Sequence, residues 1–152
     1  MKHAPENEKL LILLADDDED DRILFKEALG DIKIKTNVET VNDGQQLMDY
    51  LAAHTHRLPH VLFLDLNMPG KSGLECLEEI RSDAKLKHIS IAIYSTSSAE
   101  HDIQVSLLKG ANIYIKKPSD FEKLKKAISD VININWQYHT TSLNRENFFM
   151  VI

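Results

Sequence analysis

The stretch VLFLDLNMPG, Val61 to Gly70, decides how the rest of the chain is read. Four apolar residues in succession, without polar alternation, suggest a short strand buried on both faces, as in a parallel sheet. Asp65 closes that strand. Packing has no need of an acid there, and Asn67-Met68-Pro69-Gly70 after it reads as a loop. Working outward, LLILLA (Leu10–Ala15) and ISIAIYS (Ile89–Ser95) repeat the continuous apolar pattern, and ANIYI (Ala111–Ile115) does so more briefly. A weaker strand lies near Thr36–Val41.

Helical spacing fills the intervals. Leu24/Ala28 and Phe25/Leu29 stand four apart before Gly30. Leu47, Met48 and Leu51 share a face over Gln45–Ala53, as do Leu74, Leu77 and Ile80. Ala99–Lys109 carries Ile103, Leu107 and Leu108. A last helix begins near Ser119, carries Phe121, Leu124, Ile128, Val131 and Ile132, and fades near Asn133. Five strands alternating with five helices imply βαβ units and a doubly wound α/β fold with helices on both faces of a parallel sheet. The expected division is a flexible N-terminus over 1–8, one domain over 9–133 and a C-terminal extension over 134–152.

The 152 residues are 43% hydrophobic and 28% charged, which excludes overall disorder. The net charge of −6 argues against a protein that works by neutralising nucleic-acid phosphates. The run Asp16-Asp17-Asp18-Glu19-Asp20-Asp21 holds six acids, so it alone accounts for that charge. Cys76 is the single cysteine, which excludes an internal disulfide and a cysteine-based zinc site. The seven histidines, His88 and His101 among them, show no ligand spacing. The longest apolar run near the N-terminus is six residues, too short for a signal core or a membrane span. A cytoplasmic protein is expected.

In an open α/β sheet, ligands gather at the carboxyl ends of the strands. The chain places Asp16 and Asp17 there, then Asp65, then Ser95-Thr96, then Lys116-Lys117-Pro118. Clustered carboxylates repel one another unless a cation neutralises them. Oxygen ligands suit Mg²⁺, and a carboxylate beside a lysine and a hydroxyl suits phosphoryl transfer onto the carboxylate itself. No GxxxxGK[ST] cradle is present, so nucleotide binding is not indicated. Asp18, Glu19, Asp20 and Asp21 are read as complementing a helix N-terminus.

These segments, taken in order, resemble the receiver domain of two-component response regulators, of the stand-alone chemotaxis-regulator or phytochrome-regulator kind. The match spans about residues 9–133. The resemblance implies a flavodoxin-like five-stranded sheet in the order 2-1-3-4-5. It implies that Asp65 accepts a phosphoryl group from a histidine kinase or phosphotransfer protein. It implies Mg²⁺ held by Asp16, Asp17, Asp65 and the backbone carbonyl of Asn67. Lys117 would pair with the phosphoryl oxygens, across a cis bond to Pro118. Ser95 would be the switch hydroxyl, with Thr96 its neighbour, and Tyr114 the aromatic that turns inward with it.

Too few residues follow the domain for an output module, so signalling is expected through contacts with an unidentified downstream protein, without direct nucleic-acid or membrane binding. The apolar tail Phe148–Ile152 either folds back on its own domain or contributes to a homodimer through the last helices. An alternative function is a Mg²⁺-dependent phosphatase of the haloacid dehalogenase type. That chemistry needs an acid two residues after the nucleophile, where this chain has Asn67, and usually a cap insertion.

Overall fold

The computed structural model describes residues 9–141 and 150–151. Five parallel strands, β1 (Leu10–Ala15), β2 (Thr36–Val41), β3 (Val61–Leu64), β4 (Ser90–Ser95) and β5 (Ile113–Lys116), lie in the order 2-1-3-4-5. Five helices alternate with them: α1 (Glu19–Gly30), α2 (Gly44–Ala53), α3 (Gly73–Ser82), α4 (Glu100–Leu108) and α5 (Phe121–Thr141). A two-residue strand β6 (Met150–Val151) pairs parallel to β5 and extends the edge of the sheet beyond the expected five.

Successive side chains of a strand point to opposite faces, and the central strands bury both. On one face Leu13, Leu62, Leu64, Ile91 and Ile93 pack with Leu47, Leu51, Leu77 and Ile80 of α2 and α3. On the other, Ile12, Leu14, Phe63, Ala92 and Ile115 pack with Phe25 and Ala28 of α1 and with Leu124, Ile128 and Val131 of α5. Burying one such large apolar side chain stabilises the fold by about 1.5–3 kcal/mol, so continuous apolar runs are what a sheet covered twice requires. Edge strand β2 instead alternates half-buried and exposed positions up to Val41.

Caps set the helix starts. The Asp18 side chain accepts from Asp21 N, so α1 begins three residues before the expected Arg22. Asp43 caps α2, and Ser72 and Glu75 form a reciprocal capping box on α3. Helix α5 does not fade near Asn133 but runs to Thr141, eight residues into the expected extension. Residues 1–8 and most of the tail, Phe148, Phe149 and Ile152 included, lie outside the described residues. Among the described residues no helix is long and apolar enough to cross a membrane.

Candidate functional site

Parallel pairing brings the ends of β1 and β3 side by side. Ala15 is in register with Leu64, and Asp65 N donates to Ala15 O at 3.0 Å. The next residue on each strand is therefore an acid at the same level. Asp16 is fully buried and Asp65 is 5% exposed, whereas Asp17 turns out to solvent. Asp16 Oδ1 accepts from Asp18 N at 3.0 Å, and Asp65 Oδ1 from Asn67 N at 3.2 Å. Gly73 presses against this strand end: a Cβ there would sit 2.2 Å from Asp65 O. Only glycine permits α3 to start so close to the acid.

Lys117 enters from the far side. Its backbone N donates to Ser95 O at 2.7 Å, tying the end of β5 to β4. Its ammonium lies 2.9 Å from Asp16 Oδ2, 2.9 Å from Asp21 Oδ2 and 3.5 Å from Asp65 Oδ2. It also stands 5.1 Å from the centre of the Tyr94 ring, in cation–π range. Burial alone would lower the lysine pKa. Contacts with Asp16 and Asp21, and the charges of Asp16 and Asp65, outweigh burial and hold it above the ordinary value. Burial pushes the Asp65 pKa up to about 6. Lys117 opposes that shift and Asp16 adds to it. Burial raises Asp16 as well, against the Asp18 amide and Lys117.

Carboxylate oxygens of Asp16, Asp17 and Asp65 all lie within 4.8 Å of one another. Asp16 Oδ2 is held by the Lys117 ammonium at 2.9 Å, and no well-aligned hydrogen-bond donor among the described residues reaches it. A buried, incompletely satisfied carboxylate oxygen beside two more carboxylates fits a hard divalent cation. Asn67, on the exposed loop after Asp65, is placed at the same edge.

Ser95 ends β4 and is fully buried, whereas Thr96 is exposed. The Ser95 hydroxyl accepts from Ser97 N at 3.1 Å. The Tyr114 side chain is 1% exposed, and its hydroxyl donates to Ser97 O at 2.9 Å. It is thus already inward, fastened to the β4–α4 loop, so no inward turn is left for it to make from this state.

Two further expectations are corrected. The Lys117–Pro118 bond is trans, the form an X–Pro bond prefers by about 0.5–1 kcal/mol when its surroundings do not reverse it. Asp21 is not confined to complementing the helix end, since its carboxylate shares Lys117 with Asp16 and Asp65. Helical spacing from the Asp18 cap was the available signal: it turns Asp21 inward while Asp20 faces solvent.

Set beside known proteins, this arrangement has a family. The response regulator receiver domain matches residues 12–129, and the chain belongs to that family of two-component signalling proteins. It is 30% identical over 129 residues to Response regulator Rcp1 of Synechocystis sp. strain PCC 6803, covering 82% of this chain and 88% of that one. Among solved structures, the phosphorylated cyanobacterial phytochrome response regulator RcpA superposes with a TM-score of 0.76 at 33% identity, over 90% of this chain and 97% of that one. The Mn²⁺-bound form of response regulator Rcp1 gives 0.72 at 30%, over 80% and 90%. Membership in the receiver family leaves the haloacid dehalogenase alternative without support.

Proposed function

We propose that Asp65 is the phosphoacceptor of this response regulator receiver domain. An Asp65 carboxylate oxygen attacks the phosphorus of a donor phosphohistidine. The donor's P–N bond breaks, its imidazole leaves and takes up a proton, and an acyl phosphate forms on Asp65. The observation that carries this reading is the convergence on one buried carboxylate of a charged lysine at 3.5 Å and two further acids. Asp16, Asp17, Asp65 and the Asn67 carbonyl would hold Mg²⁺, which when bound neutralises the developing charge on the phosphoryl oxygens. Lys117 supplies a fixed ammonium to those oxygens.

Ser95 is the neutral donor on the neighbouring strand, and turning its hydroxyl toward the phosphoryl group releases the bond from Ser97 N. Ser97 O also anchors Tyr114, so the β4–α4 loop is the element that responds. Water later attacks phosphorus and releases inorganic phosphate. This step is expected to be slow, because the carboxylates that adjoin Asp65, those of Asp16 and Asp17, are committed to the cation rather than free to activate water.

The donors are a histidine kinase or phosphotransfer protein. The output is a change in protein contacts over α4, β5 and α5, made with a downstream protein rather than nucleic acid or membrane. A single, buried cysteine suits a cytoplasmic setting. The pairing of β6 with its own chain's β5 favours the fold-back reading of the tail over a subunit contact. If a homodimer forms instead through the last helices and tail, sedimentation with and without beryllofluoride shows it, and truncation after Asn135 reduces it.

The deciding experiment is incubation with acetyl phosphate, with and without Mg²⁺, followed by intact-protein mass spectrometry. A Mg²⁺-dependent phosphoryl adduct is expected on the native chain. Its absence overturns the reading.

A further inference from the structure

The ammonium of Lys117 is divided among three carboxylates, and its longest contact is to the residue where the chemistry occurs. Asp16 and Asp21 each hold it at 2.9 Å, against 3.5 Å for Asp65. The two closer partners differ in kind. The Asp16 side chain is completely buried, whereas that of Asp21 is 32% exposed on the first turn of α1. A buried carboxylate stripped of its cation has nothing to replace it, while a partly exposed one recovers water. Of the two, Asp21 is therefore the partner Lys117 can leave.

A phosphoryl group on Asp65 brings close to two negative charges and three acceptor oxygens into reach of the same ammonium. Lys117 cannot serve it fully while directed at Asp21. We propose that Asp21 is a positioning residue that competes with the Asp65 phosphoryl group for Lys117, and so sets how readily the phosphorylated state forms. The inference rests on the phosphoacceptor reading and adds to it a brake located outside the three clustered acids. Asp21 acts only through Lys117, and its side chain is not the cap of α1, which Asp18 provides.

The test compares native protein with the Asp21→Asn, Asp21→Glu and Asp20→Asn variants. Asp20 lies in the same helical turn and is exposed, so Asp20→Asn removes the same charge without touching Lys117. The readout is beryllofluoride titration at saturating Mg²⁺, followed by fluorine NMR of the bound species. Asp21→Asn is expected to lower the half-saturating concentration about fivefold, the size of a partly exposed ion pair. It should also shift the bound fluorine resonances. Asp21→Glu restores the carboxylate and returns the value toward native, and Asp20→Asn stays within about twofold of native. Equal effects of Asp21→Asn and Asp20→Asn overturn the proposal, because charge alone would then explain them. Weaker binding by Asp21→Asn also overturns it, because Asp21 would then be helping. If no protein binds beryllofluoride although all are folded, the phosphoacceptor reading falls, and this proposal with it.

Discussion

Two cations organise opposite edges of the sheet. Lys117 gathers acceptors at the carboxyl edge, and Arg81, at the end of α3, gathers them at the amino edge. Arg81 donates to the carbonyls of Gly110, Lys87 and Ile89 and to Asn112 Oδ1, at 2.7–3.0 Å. Asn112 Oδ1 also accepts from Ile91 N, so the loops before β4 and β5 are stitched to α3. Each of these acceptors is neutral, and the planar guanidinium meets each with its own N–H. Lys117 faces charged acceptors, more than one ammonium can neutralise, and the buried Asp16 Oδ2 has no well-aligned donor among the described residues. The satisfied cluster fixes one structure. On the proposed function, the unsatisfied one is poised for a cation and a phosphoryl group, at a cost to stability.

Replacing Asp65 by Asn puts the carboxyl edge to its hardest test. Phosphoryl uptake from acetyl phosphate is expected to vanish, with no adduct in the intact mass spectrum. Next in size, Asp17→Asn should lower Mg²⁺ affinity and phosphorylation by at least about tenfold, through loss of one charged oxygen ligand, while Asp20→Asn leaves both near native. Equal losses in the two variants would show that the acidic run acts as a diffuse charge.

The two edges are expected to differ in the sign of their effect on stability. Arg81→Ala strands several acceptors and should cost about 2–4 kcal/mol in urea unfolding, with phosphoryl uptake by the folded fraction retained. Asp65→Asn should instead stabilise the protein without Mg²⁺. The Asp65 pKa is raised to about 6, so the buried carboxylate costs nothing below its ordinary titration range. That cost grows from about pH 4 to pH 6 and is complete above pH 6. A gain on the order of 1–3 kcal/mol at pH 8, disappearing toward pH 4, is therefore expected for Asp65→Asn. Destabilisation at pH 8 would mean that the Lys117 contact outweighs burial. The smallest effect belongs to Glu75→Ala, which opens the α3 capping box away from both clusters and should cost about 0.5–1 kcal/mol.

Periodicity made the strand and helix sequence legible, because a sheet covered on both faces demands continuous apolar strands and amphipathic helices. The acids that end those strands were legible for the same reason: Asp16 and Asp65 follow buried segments that have no use for charge, whereas the choice of Lys117 over Lys116 came from the resemblance to receiver domains. The resemblance to receiver domains supplied the strand order, which local pattern cannot encode. What only the tertiary structure decided is how neighbours share. Asp21 and Asp20 look alike in a run of six acids, and distance from Lys117, 96 residues away from Asp21, separates them. The inward Tyr114, the close approach of Gly73 to Asp65 and the pairing of β6 with β5 likewise depend on segments far apart in the chain. Hydrophobic spacing is a property of each segment alone, but the partition of one ammonium among several carboxylates exists only where the segments meet.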